Sequence, residues 1–210
     1  MIKKKFSRIF CVGRNYMNHI KELKNNTPDN PVIFMKPVSS LVFPGEGIQY
    51  PLHGNLLHYE AELVIEIGRE CKFVKESKAF SVIKGIALGL DLTLRDLQSE
   101  LKSRGLPWEI AKSFDYSATL GVINEYNENI DLDNLEFSCK VNGELRQLGR
   151  TSDMIFGIPQ LISYLSSIWV LKEGDLIYTG TPEGVGELKI GDEISVESEI
   201  TGKTTWTVFK

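Results

Sequence analysis

Residues 58–68, HYEAELVIEIG, alternate in a way that few folds can accommodate. Counted by twos, Tyr59, Ala61, Leu63, Ile65 and Ile67 fall on one face of a strand, and Glu60, Glu62, Val64 and Glu66 on the other. Two readings fit the acidic face: the strand is half buried with its polar side wet, or its carboxylates share a cation. Alternate side chains on a strand stand about 6.5–7 Å apart. At an effective dielectric of about 20, two carboxylates at that distance repel by about 2 kcal/mol. A divalent cation between them reverses the sign, and hard cations such as Mg²⁺ and Ca²⁺ take oxygen ligands. Two carboxylates make a poor site, so the second reading requires a third acid from elsewhere in the chain.

The 210 residues suit a single domain, and a hydrophobic content of 42% is enough to give it a real core. With a net charge of −4 and no basic block beyond Lys3–Lys5, nucleic acid is not an expected partner, and the lysine run reads as a solvated terminus. Cys11, Cys71 and Cys139 are odd in number and include no CxxC pair. They argue against a disulfide framework or zinc site and for a reducing compartment. No apolar run approaches membrane-spanning length, and the N-terminus lacks a signal-type apolar segment. The expectation is a soluble, cytoplasmic protein without a membrane partner.

Along the chain the pattern predicts a strand over 8–12, a turn at Gly13 and a polar helix over about 16–24. Strands follow over 31–37, 58–67 and 84–92, with a short helix near 78–83. A helix over 94–104 can be capped by Asp91 or Thr93 and ended by Gly105. Asn142-Gly143 joins two alternating runs within 135–148, a strong hairpin signal. Ile158, Leu161, Ile162, Leu165, Ile168 and Trp169 recur at helical spacing and read as a core helix. The tail from Gly174 is strand and turn. Strands cluster instead of alternating with helices, which predicts an α+β fold with a β-rich body.

Asp91 ends the apolar run GIALGLD, an unusual place for an acid unless it is paired, metal-bound or a helix cap. Arg95 and Gln98, spaced i,i+3, share the helix face beside it. Lys112 sits in a largely apolar stretch, and a lone lysine is most often a surface residue. His19 and Glu22 are also i,i+3, so a carboxylate can orient a histidine base there, although such pairs are common on solvated helices. The glycine-rich YTGTPEGVG, 178–186, lacks GK[ST] and opens no helix, so it reads as a turn displaying threonine hydroxyls and amides, not a phosphate loop.

In order, CVGRNY…H..E, FMKP, HYEAELVIEIG, GLDLTLRDLQ, GLPWEIAKSFD, VNGELRQ, MIF.IPQLISYLS and GDLIYTGTPEGVG resemble the fumarylacetoacetate hydrolase family. The resemblance runs from about residue 8 to the C-terminus and is nearest to the short acylpyruvase-type branch. It implies one catalytic domain over 1–210 with a mixed β-roll, a homodimer, and a mobile lid helix within about residues 1–45. It further implies one Mg²⁺ or Mn²⁺ per site, held by Glu60, Glu62 and Asp91. Arg95, Gln98 and Thr181 match substrate-contacting positions, and His19, Glu22 and Lys112 match catalytic ones. Longer fumarylacetoacetases supply a further metal carboxylate upstream that is absent here, which argues against fumarylacetoacetate as substrate.

The activity implied first is hydrolysis of an acylpyruvate, a 2,4-dioxo acid, to pyruvate and a carboxylic acid. His19, steadied by Glu22, would activate water, and Lys112 would stabilise the enolate left when the C3–C4 bond breaks. Oxaloacetate decarboxylation or tautomerisation, and isomerisation of 2-hydroxyhepta-2,4-diene-1,7-dioate, are the alternatives on the same site. A metal-stabilised binding protein without catalysis is the non-enzyme alternative, and the His19–Glu22 pair argues against it.

Overall fold

The structure is a computed structural model that describes residues 6–22 and 26–210. The lysine run 3–5 and the last part of the helix expected over 16–24 lie outside the described residues.

Among those residues the centre of the fold is an eight-stranded mixed sheet. Its path runs Val32–Lys36, Ile9–Gly13, Leu176–Tyr178, Ala61–Ile67, Ile83–Asp91, Ala118–Leu120 and Leu41–Val42, with Asn124–Glu125 paired to the Ile83–Asp91 strand. Ile9–Gly13 runs parallel to Leu176–Tyr178, and Leu41–Val42 parallel to Ala118–Leu120, while the other pairs are antiparallel. A five-stranded sheet holds the 136–150 hairpin, Glu193–Ser198, Gly202–Phe209 and Ile48–Gln49. Gly186–Glu187, Leu57–Tyr59 and Thr93–Leu94 form a third, small sheet. The β-rich α+β expectation holds, with four α-helices among the described residues: α1 Met17–Glu22, α2 Arg95–Ser103, α3 Glu109–Lys112 and α4 Ile158–Ile168.

Several local expectations change. The strand expected over 58–67 is two strands, because the chain leaves the small sheet after Tyr59 and enters the large one at Ala61. Glu60 sits at that junction, its carbonyl accepting the Asp91 N–H at 2.8 Å. The acidic face is also dry: every residue of Ala61–Ile67 is buried, Glu62 and Glu66 included. The strand is central, and one apolar cluster contains Leu63, Ile65 and Ile67 while another contains Val64. Each aliphatic side chain buried there contributes about 1.5–3 kcal/mol, and the glutamates are buried with them. Finally, neither Asp91 nor Thr93 caps α2. Leu94 occupies the cap position without a side-chain bond, and Asp91 is still in its strand, opposite Ala118.

Gly105 follows the end of α2 at φ +63, and Asn142 and Gly143 both take positive φ in the hairpin turn. The segment expected as a helix near 78–83 is a 3₁₀ stretch over Glu76–Val82 packed against α4. The chain turns at Arg14, φ 59, one residue later than expected.

Candidate active site

Glu60 and Glu62 enter from the start of one central strand and Asp91 from the end of its antiparallel neighbour, where Glu62 lies opposite Gly89. Carboxylate oxygens of the three come within 4.8 Å of one another, and all three residues are buried. At 4.8 Å and an effective dielectric of about 20, each carboxylate pair repels by about 3 kcal/mol. Such a cluster persists only with positive charge beside it.

The chain itself supplies three cations. Lys112, at the end of α3, lies 2.8 Å from Glu60 Oε2 and 2.6 Å from Asp91 Oδ2. Lys36 lies 2.8 Å from Asp91 Oδ1. Arg95, at the start of α2, donates to Glu60 Oε1 and, at 2.6 Å, to Gln98 Oε1. Burial works against ionising Glu60, but Lys112, Arg95 and His19 outweigh it and hold its carboxyl well below the usual range. Burial pulls the Lys112 ammonium down, yet Asp91 and Glu60 together hold it above its ordinary value. Lys36, with Asp91 as its one carboxylate partner, stays below.

Glu62 differs from its two neighbours. Its Oε2 accepts the Gly180 N–H at 2.8 Å, and burial, then Asp91 and Glu60, push its carboxyl well above the usual range. Gly180 is needed for that bond: its φ is +102, and a Cβ there would lie 2.6 Å from Asn15 Cβ. Three carboxylates converging in this way, one of them short of positive charge, fit a hard divalent cation with oxygen ligands. Glu66, on the same strand, instead pairs with Lys84 at 3.7 Å.

Glu60, Glu62, His19, Arg95, Gln98, Lys112 and Thr181 line one small cavity of about 40 Å³. Phe34 and Trp108 form an apolar wall, and Lys112 Nζ stands 5.0 Å from the Phe34 ring centroid. Asp91 lies behind Lys112, and Glu22 backs His19, so the sequence-derived set is brought together with these two behind the cavity surface. The His19 Nδ1–Glu22 Oε2 distance is 3.2 Å, and Glu22 Oε1 accepts the Gly184 N–H at 3.1 Å. Thus α1, which buries His19 and Ile20, is tied to the 178–186 turn. Asn15 anchors its root through Phe156 O, Thr179 O and the Phe156 N–H. Larger hollows of about 510 and 580 Å³ lie around the 136–150 hairpin, outside this cluster.

Lys36 and Gln147 have no assigned role in the sequence reading. Lys36 is fully enclosed and also donates to the carbonyls of Leu92, Lys112 and Ser117. A lysine inside the apolar run PVIFMKP was the available signal. Gln147 bridges the Ala61 N–H and Thr181 Oγ1, at 3.0 and 2.8 Å, joining the Ala61–Ile67 strand to the 178–186 turn.

The sequence profile of the fumarylacetoacetate (FAA) hydrolase C-terminal family matches residues 8–209. The chain belongs to the fumarylacetoacetate hydrolase family. It is 49% identical over 205 residues to the mitochondrial oxaloacetate tautomerase FAHD1 of Arabidopsis thaliana, covering 96% of this chain and 91% of that one. The Bos taurus protein of the same name is 47% identical over 186 residues, 89% of this chain and 84% of that one. Among solved structures, fumarylpyruvate hydrolase from Pseudomonas aeruginosa in complex with Mn²⁺ and pyruvate aligns with a TM-score of 0.92 at 35% identity, covering 97% and 90% of the two chains. The 2-hydroxyhepta-2,4-diene-1,7-dioate isomerase of Mycobacterium marinum aligns at 0.85 and 36% identity, covering 98% and 75%. The family spans tautomerase, hydrolase and isomerase, so membership fixes the site better than the reaction.

Proposed function

We propose that the protein is a divalent-metal-dependent enzyme acting on small 2-oxo acids, with keto–enol tautomerisation of oxaloacetate as its main reaction. The observation that carries this reading is the sharing of one cavity by Glu60 and Glu62 of the carboxylate cluster, His19 and Lys112, with Asp91 directly behind them. Glu60, Glu62 and Asp91 would hold Mg²⁺ or Mn²⁺, which when bound supplies Lewis acidity to the carboxylate and 2-oxo oxygens of the substrate.

The chain's own residues do the rest. Glu22 takes the His19 Nδ1 proton as a hydrogen bond, which leaves Nε2 as the base that removes a proton from C3. Lys112, kept charged by Asp91 and Glu60, sets a positive group beside the oxygen on which negative charge develops. The proton held at His19 Nε2 passes through water to that oxygen to complete the enol and restore the base, and the same steps reversed return the keto form. Arg95, fixed between Glu60 and Gln98, and Thr181, fixed by Gln147, orient the substrate.

Acylpyruvate hydrolysis, first in the sequence reading, is second here. The tautomerase-named relatives are 47–49% identical and the fumarylpyruvate hydrolase 35%. In hydrolysis His19 would take its proton from water instead of carbon. One panel tests both: oxaloacetate, acetylpyruvate and fumarylpyruvate, each with metal-stripped protein and with Mg²⁺ or Mn²⁺ restored. The proposal requires metal-dependent acceleration of oxaloacetate enol–keto exchange, followed by ultraviolet absorbance. Turnover of acylpyruvates alone would replace it with the hydrolase reading, and no metal-dependent turnover of any of the three overturns both. Homodimerisation and a cytoplasmic location belong to the same proposal; light scattering and imaging of tagged protein test them. Among the described residues no helix is long and apolar enough to cross a membrane, while the two tautomerases named above are described as mitochondrial.

A further inference from the structure

The second strand of the 136–150 hairpin, Glu144–Arg150, inverts the usual pattern. Leu145 and Leu148 stand exposed, whereas Gln147 faces inward and is buried. Arg146 is an extra residue in the pairing, since Cys139 lies opposite Gln147 and Lys140 opposite Leu145. A bulge of this kind re-aims the side chains around it. Burying an amide costs stability unless its hydrogen bonds are replaced, so the inversion points to a use for the amide itself.

The Gln147 amide has one possible orientation. The Ala61 N–H can only donate, so at 3.0 Å it fixes Oε1. Nε2 then directs its two hydrogens to Thr181 Oγ1 at 2.8 Å and Pro182 O at 2.9 Å. Thr181 therefore accepts from Gln147 and keeps its own hydroxyl hydrogen. Among the described residues no acceptor takes that hydrogen, and Thr181 lines the cavity. The same turn passes so close to the hairpin that a Cβ at Gly184 would collide with Arg146 O. From there the Gly184 N–H reaches Glu22 Oε1 at 3.1 Å, and Glu22 Oε2 holds His19 Nδ1. One amide thus stands behind both a cavity hydroxyl and the carboxylate that orients the base.

We propose that Gln147 is a positioning residue of this site. It turns the Thr181 hydroxyl so that its hydrogen is donated into the cavity, to an anionic oxygen of the substrate, and it clips the 181–184 turn beneath Glu22. Thr181 is then a donor of fixed direction, which suits a carboxylate or enolate oxygen and disfavours a second donor in its place. A glutamine outside the cavity in this way sets the polarity of a group inside it. The inference rests on the metal-dependent 2-oxo acid reading and deepens it.

The test is a double-variant cycle, read by calorimetry with oxalate on the full chain loaded with Mn²⁺. Gln147→Leu and Thr181→Val should each weaken oxalate about tenfold, the scale of a lost hydrogen bond to a charged group. The double variant should stay within about twofold of Thr181→Val, and Mn²⁺ affinity should hold in Gln147→Leu. Gln147→Glu keeps the acceptor for the Ala61 N–H but, when ionised, offers Thr181 no hydrogen and draws the hydroxyl's own. It should match Gln147→Leu at about pH 8 and approach the parent at about pH 5.5, because burial favours the protonated carboxyl, which can donate. Additive losses in the cycle overturn the proposal. Loss of Mn²⁺ affinity equal to that of oxalate does so too, assigning Gln147 to the Ala61–Ile67 strand. A Gln147→Glu deficit that is the same at both pH values overturns the fixed polarity. Without metal or oxalate, the amides of 17–22 and of Thr181, Glu183 and Gly184 should exchange hydrogen about tenfold faster in Gln147→Leu; unchanged exchange overturns the clip. Oxalate binding by the parent that is indifferent to Mn²⁺ overturns the 2-oxo acid reading instead, and the exchange result still judges the clip.

Discussion

The Lys36 ammonium lies 2.8 Å from Asp91 Oδ1, and the two side chains are almost wholly shut off from solvent. Removing one partner of a buried pair typically costs about 3–5 kcal/mol when the other charge is left uncompensated, and here Lys112, 2.6 Å from Asp91 Oδ2, still offsets part of the charge. We expect Lys36→Met to lose stability in urea unfolding of metal-free protein, by less than that full penalty. Mn²⁺ should then raise the melting temperature of the variant more than that of the parent, since the cation replaces the missing charge. An equal rise in both would show that Lys36 supports the backbone carbonyls it binds and not the carboxylate.

Glu62 and Glu66 should separate ligand from neighbour on one strand. Glu66 is about 13 Å along the strand from Glu62, and it pairs with Lys84. Glu62→Gln keeps an acceptor for the Gly180 N–H but removes a charge that Asp91 and Glu60 oppose. Metal-free Glu62→Gln should therefore melt no lower than the parent, and its stabilisation by Mn²⁺ should vanish. Glu66→Gln should keep that stabilisation. Equal loss in the two would misplace the site.

His19 should distinguish proton transfer from simple charge stabilisation. Without the base, enol–keto exchange and acylpyruvate hydrolysis should each fall by about 10²–10⁴-fold in His19→Ala. Decarboxylation of oxaloacetate, which needs only positive charge beside the 2-oxo oxygen, should fall less, while Lys112→Ala depresses all three. His19→Ala should still be stabilised by Mn²⁺, and rates are compared at saturating metal. Equal loss of every reaction in His19→Ala would assign the residue to closing the cavity.

The carboxylate cluster is readable in the sequence from local pattern, while the roles of Lys112, Arg95, Gln98, Thr181 and the His19–Glu22 pair come with the family resemblance. The twofold alternation of HYEAELVIEIG puts Glu60 and Glu62 together, and Asp91 ends an apolar run where an acid needs an explanation. What escapes depends on contacts far along the chain. The dryness of the acidic face follows from the strand's central place in the sheet, which Leu176–Tyr178 helps to set from more than a hundred residues away. Lys36 looks like the solvated end of a strand until the Lys112–Ser117 segment closes over it. The same holds for α2, whose cap was sought in Asp91 although pairing with Ala118 keeps that residue in its strand.

The short helix α1 gives a further expectation. Six residues form an unstable helix alone, and this one is held by Glu22 to Gly184 and Asn18 to Glu183, at 3.1 and 3.2 Å. We expect amides 17–22 to exchange hydrogen faster than those of Ile9–Gly13, and to slow when oxalate occupies the metal end. Slow exchange unaffected by oxalate would remove lid motion from the mechanism.

Glu62 and Asp91 stand on two central strands and Glu60 just before one of them, whereas the histidine rides on a helix fastened by a few hydrogen bonds to a turn. Changes in residues 14–22 or 181–186 can therefore alter which proton is moved, and on which molecule, while the carboxylate floor stays in place. Conversely, a substitution in the floor reaches every reaction at once. In such a chain new activities are most readily acquired by rewriting two short segments outside the central strands, and the inherited sheet sets the limits within which they can differ.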